Sequence, residues 1–266
     1  MKQVRKAVIP VAGYGTRFLP VTKVVPKELL PVGKRPVIQY VVQEAVAAGI
    51  EEIIFVCQPS RQEVVHYFKA DPPLESFLES RGKKEELEEV RRISRLATFS
   101  VVTQNEPLGL GHAILCAREA VGNEPFLVLL PDMLVGGGER ASRELIRGCG
   151  ENWGLTLMKV SRERVSQYGI IEGDEVRTGL FRLRRAVEKP NQNEAPSDLA
   201  ILGRYLFPPR IFPLIEKSRP GALGEIQLTD AINLLCQESH GIGVVTGEEV
   251  FDVGNPEGLL RANQAR

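Results

Sequence analysis

Side chains that build metal and redox centres are scarce in this sequence: its 266 residues include three histidines and four cysteines. Cys57, Cys116, Cys149 and Cys236 are far apart and form no C-x-x-C pair. That spacing argues against a zinc or disulfide framework and predicts reduced residues in or near the core of a cytoplasmic protein. His66, His112 and His240 are equally scattered, so a histidine-built metal site has no support. Net charge is missing as well, because 34 Lys and Arg balance 34 Asp and Glu. Bulk attraction to nucleic acid or to an anionic membrane is therefore not expected, and basic residues must act locally. No apolar run approaches the roughly 20 residues of a membrane span, and the run 7–12 is too short for a signal-peptide core. Internal repeats and low-complexity linkers are absent too, which predicts one continuous domain over 1–266.

What is present is ordinary for a soluble globular protein: 43% hydrophobic and 26% charged residues, in a chain long enough for a substantial core. The first half alternates β-rich and helical segments. Strands are expected at 6–12, 51–58, 98–104 and 126–132, all but the first read as buried runs or their continuation. Helices are expected at 36–48, with Pro36 at the start and Gly49 at the end, and at 112–121. Such alternation implies βαβ units and a mostly parallel sheet. The charges of 74–96 alternate in sign at helical spacing, which fits a solvated helix pair broken near Gly82 or, less simply, a partner surface. After Gly150 the pattern turns to shorter strands with helices only later, an addition that would cover a substrate.

The most informative local feature lies behind the first strand. No G-x-x-x-x-G-K-[ST] string occurs, and a G-x-G-x-x-G fingerprint fails at its third position, which is Phe18. What remains is Ala12-Gly13-Tyr14-Gly15-Thr16-Arg17, followed by Pro20, Lys23, Pro26 and Lys27. Between Gly13 and Arg35 five basic residues (Arg17, Lys23, Lys27, Lys34, Arg35) face one acid, Glu28. Glycines let backbone N–H groups approach an anion, Arg17 can fork onto phosphate oxygens, and Lys27 adds a mobile charge. A local excess of four in a neutral chain suits a polyanionic ligand, although the same glycines and prolines also suit a simple surface turn.

The stretch "KAVIPVAGYGTRFLPVTKVVPKELLPVGKRPVIQYVVQEAVAAGI" resembles the opening of the bacterial UTP–glucose-1-phosphate uridylyltransferase (UDP-glucose pyrophosphorylase) family. That family lies within the sugar-nucleotidyltransferase superfamily. "QNEPLGLGHAI", "LPDM", "YGIIEG", "VEKP", "APSDLAILGRY" and "GEIQLTDAI" follow in the family's order, almost to the end of the chain. The resemblance implies a nucleotide-diphospho-sugar transferase α/β fold. Its central sheet is mixed and mostly parallel, with a smaller sugar-side sheet; residues of about 1–135 form the nucleotide half and those of about 150–266 the sugar-phosphate half. The implied reaction joins the phosphate of glucose 1-phosphate to the α-phosphorus of UTP and expels pyrophosphate with the help of Mg²⁺. A phosphomonoester is already mostly a dianion at neutral pH, so no general base is required. The work is positioning and electrostatics.

Residue by residue, the resemblance implies Arg17 and Lys27 on the triphosphate and its leaving pyrophosphate. Ala12, Gly13 and Gly15 belong to its nucleotide loop, and Gln104 and Gly109 to the second wall of the base site. Asp132 is its Mg²⁺ ligand, and Asp252, before an Asn-capped helix with Pro256 at its first position, is a candidate second carboxylate. Glu188 would accept from glucose hydroxyls and Lys189 would hold the sugar phosphate, with Gly169 and Gly203 as close walls. His112 is structural or a minor ribose or phosphate neighbour. Taken alone, Asp132 and Asp252 could be turn carboxylates, Gln104 a strand-end residue facing water, and "EKP" an exposed charge pair. Two departures from the family are visible. Met133 follows Asp132 where a second polar residue is common, and Pro256 and Glu257 stand where a lysine is usual. The chain also stops at Arg266, somewhat early for the family, whose members form dimers or tetramers. A homo-oligomer taking UTP and glucose 1-phosphate is the expectation, with no nucleic acid or membrane as partner. The alternatives are a thymidylyltransferase or related nucleotidyltransferase of the same fold, and a non-catalytic sugar-nucleotide binder. Retention of Arg17, Lys27, Asp132, Glu188 and Lys189 together speaks against the last.

Overall fold

The structure, a computed structural model, describes residues 3–136, 139–219, 221 and 224–265. It opens with β1 (Lys6–Pro10), a loop of three short 3-10 turns, and the hairpin β2 (Pro31–Val32) and β3 (Arg35–Pro36). Then come α1 (Val37–Ala47), β4 (Glu52–Cys57), α2 (Glu63–Tyr67), α3 (Pro72–Ser80), α4 (Lys84–Ser94) and β5 (Thr98–Thr103). α5 (Gly109–Cys116), α6 (Arg118–Val121) and β6 (Phe126–Leu129) complete the first half. The second half begins with β7 (Met133–Val135), α7 (Ala141–Cys149), β8 (Trp153–Lys159), β9 (Gly169–Arg177), β10 (Leu180–Glu188) and β11 (Leu199–Phe207). It ends with α8 (Ile211–Lys217), α9 (Leu228–Glu238), β12 (Gly241–Val245), β13 (Val250–Asp252) and α10 (Pro256–Gln264).

Nine strands form one sheet in the order β5-β4-β1-β6-β11-β8-β12-β10-β9. The α/β class is as expected. The strands β5, β4, β1 and β6 are parallel, as βαβ units require. From β11 onward the pairing is antiparallel except for β12 beside β8. The strands β9 and β10, at the far end, belong to this same sheet. β1, β4 and β6 are apolar at almost every position because both faces of the sheet are covered. In β1, Ala7 and Ile9 pack into the layer containing Val37, Ile38 and Val41 of α1, while Val8 between them joins Ala113 and Ile114 of α5 on the other face. The two-residue period of a strand makes that division.

Three expectations need adjustment. β5 is a strand but not a buried one: it is the sheet's edge, and Thr98, Val101 and Thr103 are exposed. The segment expected as a single helix at 112–121 starts three residues earlier and divides at Ala117. The strand expected through Asp132 stops at Leu129, so Asp132 sits in the turn that follows. The charged segment 74–96 is the expected broken pair, α3 and α4, parted at Gly82 (φ 67°) and tied by Arg91 Nε to Glu75 at 3.0 Å. Cys57 and Cys149 are buried, Cys116 and Cys236 partly so, and all four are free thiols. No helix among the described residues is long and apolar enough to cross a membrane.

β11 joins the halves. Its Arg204 to Phe207 pair with β6, whereas Ala200 pairs with β9. Between these sets the register against β8 slips, from Ile201 opposite Leu157 to Tyr205 opposite Leu155. Gly203 sits in the slip with φ 85°, and its carbonyl accepts the Leu130 N–H at 2.8 Å. A Cβ there would be strained in φ and would lie 3.0 Å from the Leu130 Cβ. Gly203→Ala is therefore expected to lower the urea midpoint, by about 1–3 kcal/mol of stability at unchanged slope. An unchanged midpoint would show that the bulge tolerates a side chain.

Candidate active site

Two recesses open beyond the carboxyl ends of the central strands, where open α/β sheets receive ligands. The first, about 330 Å³, is lined by Ala12, Gly13, Lys27, Glu28, Gln104, Gly109 and Asp132, among others. The second, about 310 Å³, is lined by residues that include Arg17, Asp132, Tyr168, Gly169, Glu188, Lys189, Gly203, Thr229 and Asp252. They share Leu110, Leu130, Asp132 and Glu225. Twelve of the thirteen site residues expected from the sequence thus line one recess or the other. Gly15 lines neither; it turns the loop at φ 66°, with its carbonyl accepting from Thr22 Oγ1 at 2.8 Å.

In the first recess Gln104 is buried at the end of β5, not turned to water. Its Nε2 donates to Gly109 O at 3.2 Å and lies 3.1 Å from His112 Nδ1. With the amide as donor, His112 Nδ1 accepts and its proton resides on Nε2, 3.8 Å from the Cys116 sulfur. Both amide hydrogens are thereby committed within the protein, which leaves Oε1 as the acceptor for a ligand. His112 orients Gln104 and does not line either recess.

The floor between the recesses is charged. Lys27 Nζ donates to Asp132 Oδ2 at 2.9 Å and lies 4.0 Å from Glu28 Oε1. Burial disfavours the charge of Lys27, but Asp132 and Glu28 outweigh it and its pKa is raised. Burial likewise pushes Asp132 up, and the charge and hydrogen bond of Lys27 more than offset that, so it stays ionised below the ordinary carboxylate range. Glu28 differs: it is 2% exposed, neither carboxylate oxygen has a hydrogen-bond partner among the described residues, and burial, only partly countered by Lys27, raises its pKa to about 7. Asp252 closes β13 opposite Met133, before α10 with its Asn255 cap and Pro256 at the first position. A Cβ built on Gly254 would lie 3.1 Å from Asp252 Oδ1 and 3.3 Å from Asp132 Oδ2, so the two carboxylates converge on one place. No group of three or more His, Cys, Asp or Glu forms there among the described residues. Two carboxylates without a complete protein cage suit Mg²⁺, which takes its remaining oxygens from phosphate and water.

In the second recess Glu188 and Gly169 face each other at the ends of β10 and β9. Glu188 Oε2 accepts from Thr229 Oγ1 at 3.4 Å, and its Oε1 lies 3.7 Å from Lys189 Nζ. Among the described residues Lys189 is the one non-glycine with positive φ, 43°, and its N–H donates to Tyr168 O at 3.0 Å. Holding a lysine in that conformation costs about 1–3 kcal/mol, a strain that collects at functional sites. Arg17 is exposed at the rim and has no ion-pair partner among the described residues.

Glu28, Thr229 and Glu225 were not singled out by residue type or spacing. Glu28 follows Lys27 directly, and Glu225 and Thr229 lie in "GEIQLTDAI". The signal was present in the motif series, but only burial separates them from surface residues.

Two recesses that meet at a carboxylate and carry cations on either side suit the transfer of a group between two anionic substrates. The Nucleotidyl transferase family profile matches residues 6–266, and the chain belongs to that family. Among curated relatives, UTP–glucose-1-phosphate uridylyltransferase of Bacillus subtilis is 44% identical over 98% of this chain and 90% of its own length. The enzyme named UTP–glucose-1-phosphate uridylyltransferase 1 of Staphylococcus saprophyticus is 43% identical over 97% and 91%. A UDP-glucose pyrophosphorylase structure complexed with UDP-glucose matches with a TM-score of 0.90 at 36% identity, over 99% of this chain and 98% of that one. A UTP-bound UGPase from Acinetobacter baumannii matches with a TM-score of 0.90 at 39% identity, over 98% and 93%.

The Glu28 carboxyl has a pH signature. Its folded pKa of about 7 lies above its ordinary 4.5, so the unfolded chain releases that proton first as pH rises. The contribution is complete below the ordinary value and is lost as pH rises through the folded one, a loss of roughly 3 kcal/mol. Glu28→Gln removes the titration. The melting temperature of the variant, relative to the parent, is expected to rise between pH 5 and pH 8. A constant difference would place the Glu28 pKa in the ordinary range.

Proposed function

We propose that the chain is a UTP–glucose-1-phosphate uridylyltransferase: it transfers UMP from UTP to glucose 1-phosphate and releases pyrophosphate. The observation that carries this reading is the meeting of two recesses at Asp132, with cations on each side. Two polyanions repel, and the barrier falls when they are held in line with their charges countered. Lys27, on leaving its pair with Asp132, and Arg17 bind the triphosphate and steady the departing pyrophosphate. Lys189 holds the phosphate of the sugar, Glu188 accepts from its hydroxyls, and Gly169 and Gly203 bring backbone close to the ring. Asp132 and Asp252 would hold Mg²⁺, which when bound supplies charge neutralisation at the phosphates. No residue need remove a proton, because the attacking phosphate is already a dianion.

Ala12, Gly13, Gly109 and the Gln104 oxygen form the base site. A bare acceptor at Gln104 suits the N3–H of uracil, whereas cytosine presents an acceptor at N3 and leaves Gln104 unpaired. That mismatch costs roughly 1–3 kcal/mol. Thymine keeps the uracil edge and adds a methyl, so it is excluded weakly and by shape.

Pyrophosphate release measured with glucose 1-phosphate fixed is expected to rank UTP first, dTTP second and CTP poor by roughly 10- to 100-fold in kcat/KM. A dTTP value well above UTP would make the protein a thymidylyltransferase, and failure with every nucleotide would favour a non-catalytic binder. Asp132→Asn is expected to keep the fold and lose turnover by orders of magnitude; near-normal Mg²⁺-dependent turnover would remove Asp132 from its role. Lys189→Ala should chiefly weaken glucose 1-phosphate, and Arg17→Ala should chiefly slow the step that expels pyrophosphate. If both raised only the KM for UTP, the division of the site would be wrong.

A further inference from the structure

Arg204 is fully buried, and its side-chain hydrogen bonds among the described residues converge on the turn that carries Asp132 and on one counter-charge. Nη1 donates to Leu130 O at 3.0 Å and Nη2 to Met133 O at 2.8 Å, one carbonyl on each side of the Pro131–Asp132 pair. Nε and Nη2 also donate to Glu44 of α1, at 3.0 Å to Oε1 and 2.7 Å to Oε2. Glu44 Oε1 in turn accepts from Ser142 Oγ at 2.6 Å and Ser142 N at 3.2 Å, at the start of α7. Two further backbone bonds complete the hold on the turn: Leu130 N to Gly203 O and Val253 N to Asp132 O, both 2.8 Å. The Asp132 side chain reaches from this clamped backbone to the seam of the recesses.

We infer that Arg204 is a positioning residue for the reaction: by spanning the carbonyls at Leu130 and Met133 it aims the Asp132 carboxylate and so sets the affinity of the site for a divalent cation. The inference rests on the proposed metal role of Asp132. A buried guanidinium has five N–H donors to place, and Glu44 accepts only from Nε and Nη2. This one is divided between its counter-ion and two carbonyls three residues apart, a span that a planar fork of fixed donors meets and a lysine ammonium does not. Groups that orient a metal-binding carboxylate change metal affinity about 10- to 100-fold when altered.

The test measures free Mn²⁺ by electron paramagnetic resonance in protein saturated with UDP-glucose, alongside thermal melting and UDP-glucose affinity without metal. Arg204→Lys is expected to weaken Mn²⁺ about 10-fold or more while metal-free UDP-glucose affinity stays within about threefold. Glu44→Gln, which disturbs the same buried cluster but leaves the guanidinium on both carbonyls, should lower the melting temperature and keep Mn²⁺ affinity within about threefold. Equal Mn²⁺ losses in the two variants would show a merely structural role and overturn the inference. So would an Arg204→Lys protein that binds Mn²⁺ as the parent does while Asp132→Asn does not. If Asp132→Asn itself keeps Mn²⁺ affinity, the metal reading of Asp132 is what fails. Should Arg204→Lys not fold, the double variant E44L/R204M removes both buried charges together and is held to the same expectations.

Discussion

Everything in this site depends on keeping ionised groups in place over an apolar core. The ion pair of Glu44 and Arg204, 0% and 3% exposed for Arg204 and Glu44 respectively, is the deepest example. Two charges removed from water are stable only when their remaining donors and acceptors are filled. Here that requirement is met by Ser142 and by the carbonyls of Leu130 and Met133. The same contacts join α1, α7, β11 and the Asp132 turn, so satisfying a buried charge also fixes the floor of the site. Above it Lys27 and Asp132 neutralise each other at 2.9 Å. A ligand that brings phosphates to the lysine and a cation to the carboxylate exchanges one set of opposite charges for another. The site is thus preorganised without holding a large uncompensated charge.

β11 gives the arrangement its shape. A strand that pairs with β6 along one stretch and with β9 at another must bend between them, and the bend is at Gly203. On one side of it the parallel strands end in loops suited to a base and phosphates; on the other, antiparallel strands present Gly169, Glu188 and Lys189. The two substrates of a group transfer need separate pockets and a common boundary. One bent strand and one clamped turn supply both.

Much of this was legible in the chain. The alternation of segments foretold the parallel half, and the basic excess behind the first strand contained Arg17 and Lys27, which line the recesses. "LPDM" and "VEKP" marked Asp132, Glu188 and Lys189 because their order along the chain matched a known series. Legibility failed where a residue's meaning comes from burial. Glu28 reads as one acid among basic residues, and only its enclosure makes it a carboxyl without a hydrogen-bond partner among the described residues and with a pKa of about 7. Gly15 looks the same as Gly13 in sequence, yet it turns the loop while Gly13 lines the recess. β5 has the composition of a buried strand and lies at the sheet's edge, because composition does not say which strand will be last.

By itself the sequence determined the local matters: where strands and helices form, where glycine and proline turn the chain, and which residue types are available to hold phosphate. These follow from interactions within a few residues, which hydrophobic period and backbone preference report directly. Only the tertiary structure decided that Glu44 meets Arg204 across 160 positions, that Asp132 and Asp252 converge, and that His112 commits the amide of Gln104. Burial and long-range pairing give those side chains their partners and directions, and neither exists until the sheet has closed over them.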